Sequence, residues 1–339
     1  MLDSSGSMTA PDGEVQIFSD AFRIPSVRNT VVVTGGSGLV GRGISSIIPS
    51  DNKDTYIFLS SKDGDLGDMS QCRKIFETWS PDYVIHLAAC VGGLFKNMTQ
   101  KVDMLERNLL INYNVVKCCH EFRVKKMVAC LSTCIFPDKT TYPIDETMLH
   151  SGPPHSSNDA YAYAKRMIEI HCRMYKENYG DDFCCVIPTN IYGPYDNFHL
   201  EDAHVLPALI HKCYLAKKSG EDFVVRGSGA PLRQFIYSED LARLILKVLH
   251  SNASISSIIL SVPESDEVSI GEVARYVAKQ FEYEERMRFD KSFSDGQYKK
   301  TASNLLCAKL FPDFRFLPIE IGIQMTVDWF LENADSVRK

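Results

Sequence analysis

One stretch limits the possible folds more than any other. Arg28-Asn29-Thr30-Val31-Val32-Val33-Thr34 is a β-branched run that stops at Gly35-Gly36-Ser37-Gly38-Leu39-Val40-Gly41, and Arg42 to Ile48 then carries apolar residues at helical spacing. In the order strand, turn, helix, the spacing Gly35-x-x-Gly38-x-x-Gly41 has a physical purpose. One glycine permits the tight turn, one lets the backbone approach a pyrophosphate, and the third lets the helix pack on the strand. The helix N-terminus attracts the phosphates. The turn predicts a dinucleotide site formed by Gly35, Gly36, Ser37, Gly38, Leu39, Val40 and Gly41.

The alternation continues downstream. Strand patterns at 54–60, 83–89, 126–132 and 183–188 are separated by helical patterns at 71–79, 102–122 and 160–179. Strands and helices of these lengths predict an α/β fold, a Rossmann-type doubly wound parallel sheet covered on both faces. After about residue 192 the pattern shortens and mixes, with helices expected at 205–215, 238–249 and 270–281 and strands at 222–226 and 258–262. The division that follows is a mobile leader at 1–28, a dinucleotide-binding domain at 29–192, and a smaller α/β lobe at 193–339 that mainly binds substrate, with a cleft between the last two.

Charge and cysteine usage exclude other classes. The net charge is −6, with no basic stripe interleaved with aromatics, which speaks against nucleic acid. No apolar run approaches the ~20 residues of a membrane helix, and no basic start leads into an apolar signal core, so a soluble cytoplasmic protein is expected. The eleven cysteines are an odd count with no C-x-x-C arrangement, which predicts reduced thiols and no metal site.

The end of the second strand separates the two nicotinamide cofactors, because an acid there accepts from a ribose 2′-hydroxyl and a cation suits a 2′-phosphate. Ser60-Ser61-Lys62-Asp63 puts two hydroxyls and Lys62 ahead of the acid, favouring NADP(H), although Asp63 keeps NAD possible. In Tyr161-Ala162-Tyr163-Ala164-Lys165, Tyr161 and Lys165 stand at i and i+4 on one helix face. A lysine there is expected to lower the phenol's pKa, so that the phenol can give a proton to a carbonyl oxygen as hydride reaches carbon. Tyr163 lies only two residues from Lys165 and faces elsewhere. Ser132, at the end of a strand, is expected at the mouth of the sheet on the same oxygen. Cys134, two residues on, is expected on the same side of an extended segment.

Together Gly35 to Gly41, His86-Leu87-Ala88-Ala89-Cys90-Val91-Gly92-Gly93, Ser132-Thr133-Cys134-Ile135-Phe136-Pro137, Tyr161 to Lys165, Pro188-Thr189-Asn190-Ile191-Tyr192-Gly193-Pro194, Asp196-Asn197-Phe198-His199 and Arg233-Gln234-Phe235-Ile236-Tyr237 resemble the GDP-L-fucose synthase family of the extended short-chain dehydrogenase/reductase superfamily. The resemblance runs from about Asn29 to the C-terminus. It implies a bifunctional enzyme that epimerises GDP-4-keto-6-deoxy-D-mannose at C3 and C5 and reduces its C4 ketone with NADPH. It assigns proton transfer to Cys134 and His204, with His199 and His211 as lesser rivals for the second role, and it implies nicotinamide-side contacts from Lys165, His204, Pro188, Thr189, Asn190 and Ile191. It places Lys212, Arg233 and Asp295 at the substrate, where cations suit a diphosphate. Arg226 stands in a substrate-side loop where that family usually places Trp; Arg can stack on a planar face and meet phosphate. A homodimer paired through the helices at 102–122 and 160–179 is implied as well.

Three alternatives fit less well. A nucleotide-sugar 4,6-dehydratase would carry carboxylates where this chain has Thr133 and Cys134, and a 4-epimerase leaves Cys134 without a task. A cofactor-sensing regulatory protein would have no use for Ser132, Tyr161, Lys165, Cys134 and His204 together.

Overall fold

The computed structural model of the chain describes residues 28–92, 98–295 and 297–337, so the leader expected at 1–28 lies outside them except for Arg28. The first half alternates as the sequence pattern requires: β1 (Thr30–Thr34), α1 (Leu39–Ile47), β2 (Thr55–Phe58), α2 (Met69–Trp79), β3 (Tyr83–His86), α3 (Lys101–Glu121), β4 (Lys126–Cys130), α4 (Asp159–Tyr179) and β5 (Phe183–Pro188). The rest of the chain adds β6 (Asn190–Tyr192), α5 (Val205–Ser219), β7 (Phe223–Arg226), β8 (Leu232–Arg233), β9 (Phe235–Tyr237), α6 (Ser238–Leu249), β10 (Ser257–Leu260), β11 (Val268–Ser269), α7 (Ile270–Gln280), β12 (Met287–Asp290), α8 (Leu305–Leu310) and α9 (Ile319–Glu332).

Six strands form one parallel sheet in the order β10-β5-β4-β3-β1-β2. Successive side chains of a strand leave on opposite faces, and both faces are covered. Val32, Val84, Met127 and Cys185 pack under α2, α3 and α4, while Val31, Val33, Ile85, Val128 and Cys184 pack against Ile44 of α1 and Leu241, Leu244, Ile245 and Val248 of α6. The neighbouring Cys184 and Cys185 thus enter opposite cores as small hydrophobes. All eleven cysteines are free, and only Cys90 and Cys134 are less than fully buried. Local chemistry fixes the element ends: Asp68 accepts from the amides of Ser70 and Gln71 to start α2, and Gly180 in the left-handed region ends α4.

The second lobe has its own core, in which Phe198, Leu206, Ile210, Phe223, Val277 and Phe330 join α5, α7 and α9. Its extent differs from the sequence expectation. β10, expected with the second lobe, pairs with β5 and completes the first sheet, while α6 covers that sheet and Cys307 of α8 joins the same core. The chain therefore returns to the first lobe after residue 193. A short apolar pattern shows that a segment is strand, but not which edge it will pair with.

Candidate active site

The sheet order reverses between β1 and β3, so the loops after them diverge and leave a crevice at the carboxyl ends of the strands. A cleft of about 1410 Å³ opens there, lined by the glycine turn, the 87–92 loop, Ser132, Cys134, Tyr161, Lys165, residues 188–191 and His204. The turn is shaped for close approach. Gly35 has φ +68°, and a Cβ on it would stand 2.8 Å from the Ala88 amide nitrogen; one on Gly41 would stand 2.5 Å from Gly36 Cα. Gly36 packs against Phe58 and does not line the cleft. Gly38 caps α1 without a side-chain hydrogen bond, and no acid occupies the helix's first turn. Those amides and that end of the helix are suited to a phosphate anion.

The turn is braced from below. Thr34 Oγ1 lies 2.8 Å from His86 Nδ1, and His86 Nε2 lies 3.1 Å from Asn112 Oδ1. Asn112 Nδ2 donates to the Ala164 carbonyl at 3.3 Å, one residue before Lys165. Since Asn112 Oδ1 can only accept, Nε2 carries the proton and Nδ1 accepts from Thr34. Burial, followed by the Lys165 charge, pushes the His86 pKa down to about 3, so the ring is neutral.

Tyr161 lines the cleft, whereas Tyr163 is 44% exposed on another side of α4 and carries Arg166 over its ring. Lys165 is buried, donates to the Cys130 carbonyl at 2.9 Å, and lies 5.8 Å from the Tyr161 ring centroid. The expected acidified phenol is not what this arrangement gives. Burial raises the Tyr161 pKa well above its ordinary value, and the neighbouring Cys134, Cys130 and Cys90 push it the same way, while burial draws Lys165 down. The surroundings of the phenol favour its protonated form.

The segment after β4 is also not the extended strand expected. β4 ends at Cys130, and Thr133–Ile135 form a 3-10 turn capped by Ser132, whose Oγ accepts from the Cys134 amide at 3.4 Å. Both side chains still line the cleft, brought there by a turn rather than by strand alternation. His204 occupies the position before α5, makes no capping hydrogen bond, and opens on the cleft; surrounding protein lowers its pKa. Its rivals are otherwise engaged. His211 Nδ1 is 2.7 Å from the Phe198 carbonyl in the core, and His199 Nδ1 accepts from the Glu201 amide.

Other expected residues stand outside the lining. Ser60 and Ser61 line the cleft but Lys62 is exposed beside them, and Asp63 turns back to accept from the Ser60 amide and hydroxyl at 2.7 and 2.9 Å, which lowers its pKa. Lys212, Arg226, Arg233 and Asp295 belong to the second lobe. Burial, then the Arg226 charge, lowers Lys212; Arg233 donates to the carbonyls of Leu232 and Gln297; Asp295 accepts from the Ser228 amide and hydroxyl and so ties down the 227–229 loop.

Lys300 joins the two groups, and no sequence motif indicates it. It lines the cleft with Cys134, and its pKa is lowered by burial and also feels Cys134 and Arg233. Its neighbours are fixed: Lys299 pairs with Glu267 at 3.9 Å, and Ala302 exchanges hydrogen bonds with Gln234. Two adjacent lysines in a held, extended segment face opposite ways, but nothing in Tyr298-Lys299-Lys300-Thr301 says which one faces a site. The C-terminal helix, also unmarked in the sequence, contributes Trp329 and, just past its end, Asn333 to the lining. Among the described residues no group of His, Cys, Asp and Glu is arranged to hold a metal.

The NAD dependent epimerase/dehydratase family pattern matches residues 31–262. A GDP-L-fucose synthase of Dictyostelium discoideum is 54% identical over 314 residues, covering 92% of this chain and 98% of its own. A probable GDP-L-fucose synthase of Drosophila melanogaster is 48% identical, covering 91% and 99%. The crystal structure of a GDP-L-fucose synthetase from Naegleria fowleri bound to NADP superposes with a TM-score of 0.88 at 51% identity, over 92% of this chain and 95% of that one.

Proposed function

The chain belongs to the NAD dependent epimerase/dehydratase family and, within it, to the GDP-L-fucose synthases, and on that footing we propose that it epimerises GDP-4-keto-6-deoxy-D-mannose at C3 and C5 and reduces the C4 ketone with NADPH to give GDP-L-fucose. One observation carries the reading. A single cleft is lined at once by the glycine turn, by Ser132, Tyr161 and Lys165, and by Cys134 and His204. Reduction needs the first two sets; the third has a task only if protons move at the carbons beside the ketone.

NADPH, when bound, supplies the hydride. The turn amides and the N-terminus of α1 hold its diphosphate, Ser61 and Lys62 meet the 2′-phosphate, and residues 188–191 and Lys165 flank the nicotinamide side. Asp63 does not compete for a 2′-hydroxyl, because its carboxylate is already satisfied by Ser60. Tyr161, holding its proton, gives it to the C4 oxygen, and Ser132 donates a hydrogen bond to the same atom. Hydrogens alpha to that carbonyl are acidic because the carbanion delocalises onto oxygen. Cys134 and His204 remove and return them, the neutral imidazole being the form that accepts a proton, which the downward shift of the His204 pKa favours. Lys212, Arg226, Arg233, Asp295 and Lys300 take the nucleotide-sugar on the second lobe.

The protein acts as a homodimer. Val102, Leu110 and Tyr113 of α3 and Tyr163 and Met167 of α4 are exposed along one side of the two packed helices, at spacings that set them on one stripe. We place it in the cytoplasm, where its free thiols are stable; no described helix is long and apolar enough to cross a membrane.

The test separates the two half-reactions. Substrate incubated in D₂O without cofactor turnover acquires deuterium at C3 and C5, and Cys134→Ser nearly stops it, since a serine hydroxyl is far less acidic than a thiol. Full exchange in that variant would reduce Cys134 to packing.

A further inference from the structure

A dinucleotide brings two negative charges to the glycine turn. Among the described cationic side chains lining the cleft, Arg107 is paired with Asp65, Lys165 donates to the Cys130 carbonyl, and Lys300 belongs with Cys134 and Arg233. Arg42 stands beside the turn itself. It directly follows Gly41 on α1, is exposed, and lines the cleft with Gly38 and Leu39. Side chains on a helix lean toward its N-terminus, which for Arg42 is the direction of the phosphates.

The guanidinium is also presented by an aromatic support. Arg42 Cζ lies 5.4 Å from the Tyr195 ring centroid, and that ring meets Trp329 of α9 at 4.7 Å between centroids. Tyr195 holds φ at +68°, a region bulky residues avoid unless the surroundings impose it, and such residues cluster at functional sites. All three side chains line the cleft. The stack runs from the first helix of the dinucleotide lobe, through the loop after β6, to the C-terminal helix anchored in the second-lobe core by Phe330.

We propose that Arg42 is a ligand of the cofactor diphosphate, steered by the Tyr195–Trp329 platform, and that this stack joins the second lobe to the filled cofactor site. The inference rests on the dinucleotide reading of the cleft. A guanidinium on an aromatic face keeps its N–H edge free for phosphate oxygens, so one group serves both contacts.

Calorimetric titration of the full chain with NADPH, NADH and adenosine 2′-monophosphate, which has the 2′-phosphate but no diphosphate, tests it. Arg42→Gln weakens NADPH and NADH by the same factor, about 10- to 100-fold, as loss of one charge-assisted contact requires, and leaves adenosine 2′-monophosphate unchanged. Tyr195→Leu, which retains the arginine but removes its support, weakens both dinucleotides several-fold, and Arg42→Lys recovers part of the loss. Unchanged dinucleotide affinity in Arg42→Gln overturns the assignment, as does a loss confined to NADPH, which would put the guanidinium on the 2′-phosphate. If the unaltered protein binds neither dinucleotide, the cofactor reading falls and this inference with it.

Discussion

Tyr161 and Tyr163 sit two residues apart on one helix and meet opposite surroundings, one enclosed in the cleft and one in solvent. Tyr161→Phe keeps the ring and removes the proton, so keto-sugar reduction in single-turnover assays falls ~10²–10⁴-fold while NADPH still binds; Tyr163→Phe leaves the rate near that of the parent. The opposite ranking would identify Tyr163 as the donor. His86 gives a second residue-level expectation, this one for stability. Its pKa is about 6.5 unfolded and about 3 folded, so between those values the unfolded chain binds a proton that the native state does not. Stability therefore falls as pH drops below about 6.5, by about 1.4 kcal/mol per unit from this group. Urea midpoints from pH 7 to 5 show a shallower slope in His86→Gln; equal slopes would mean that the ring is not held neutral. That Tyr161 and Lys165 share one cleft was legible because spacing and helix periodicity combine there. The upward shift at Tyr161 was not, because burial is a property of the assembled cleft, and Lys300 was not, because a lysine pair in an extended segment has no intrinsic facing.

At the scale of elements, the contact between α1 and the glycine turn is the tightest of the turn, where we propose the diphosphate binds. Gly41→Ala sets a methyl 2.5 Å from Gly36 Cα, against backbone that cannot rotate aside. Lifting the helix costs ~1–3 kcal/mol as in other overpacked sites, and NADPH affinity measured by titration falls on the order of tenfold or more because the amides move with it. Unchanged affinity would show that the turn tolerates displacement. Strand and helix periodicity made the helices and the longer strands readable through residue 281, but not the two- and three-residue strands β6, β8, β9 and β11, which are too short to carry a period. The later ones escaped for physical reasons. Ile319-Glu320-Ile321-Gly322-Ile323 alternates like a strand, yet it begins α9, where Gly322 allows the helix to pass directly over the Tyr192 ring. Tertiary contact overrides the local pattern there. Cys134 reaches the cleft through the cap that Ser132 provides, a local hydrogen bond that a strand reading does not contain.

For the whole molecule, the exposed stripe on α3 and α4 predicts a dimer. Light scattering at micromolar concentration gives twice the 38.2 kDa chain mass, and Leu110→Glu combined with Met167→Glu gives the single mass, since burying two carboxylates in such an interface costs more than the apolar contact returns. A monomeric parent protein would refute the stripe as an interface. The return of β10 to the first sheet has a consequence of another kind, for synthesis. The chain leaves the ribosome N-terminus first, so β1 to β5 emerge with an open edge on β5 and with the sheet face under α6 still bare. An unpaired edge beside exposed apolar surface is where nascent chains stick to one another. Translation must run on through the second lobe's first helix before Ser238–Leu249 and Ser257–Leu260 arrive to cover both. Synthesis order and sheet order disagree in this protein, and the nascent polypeptide is most prone to self-association in that interval.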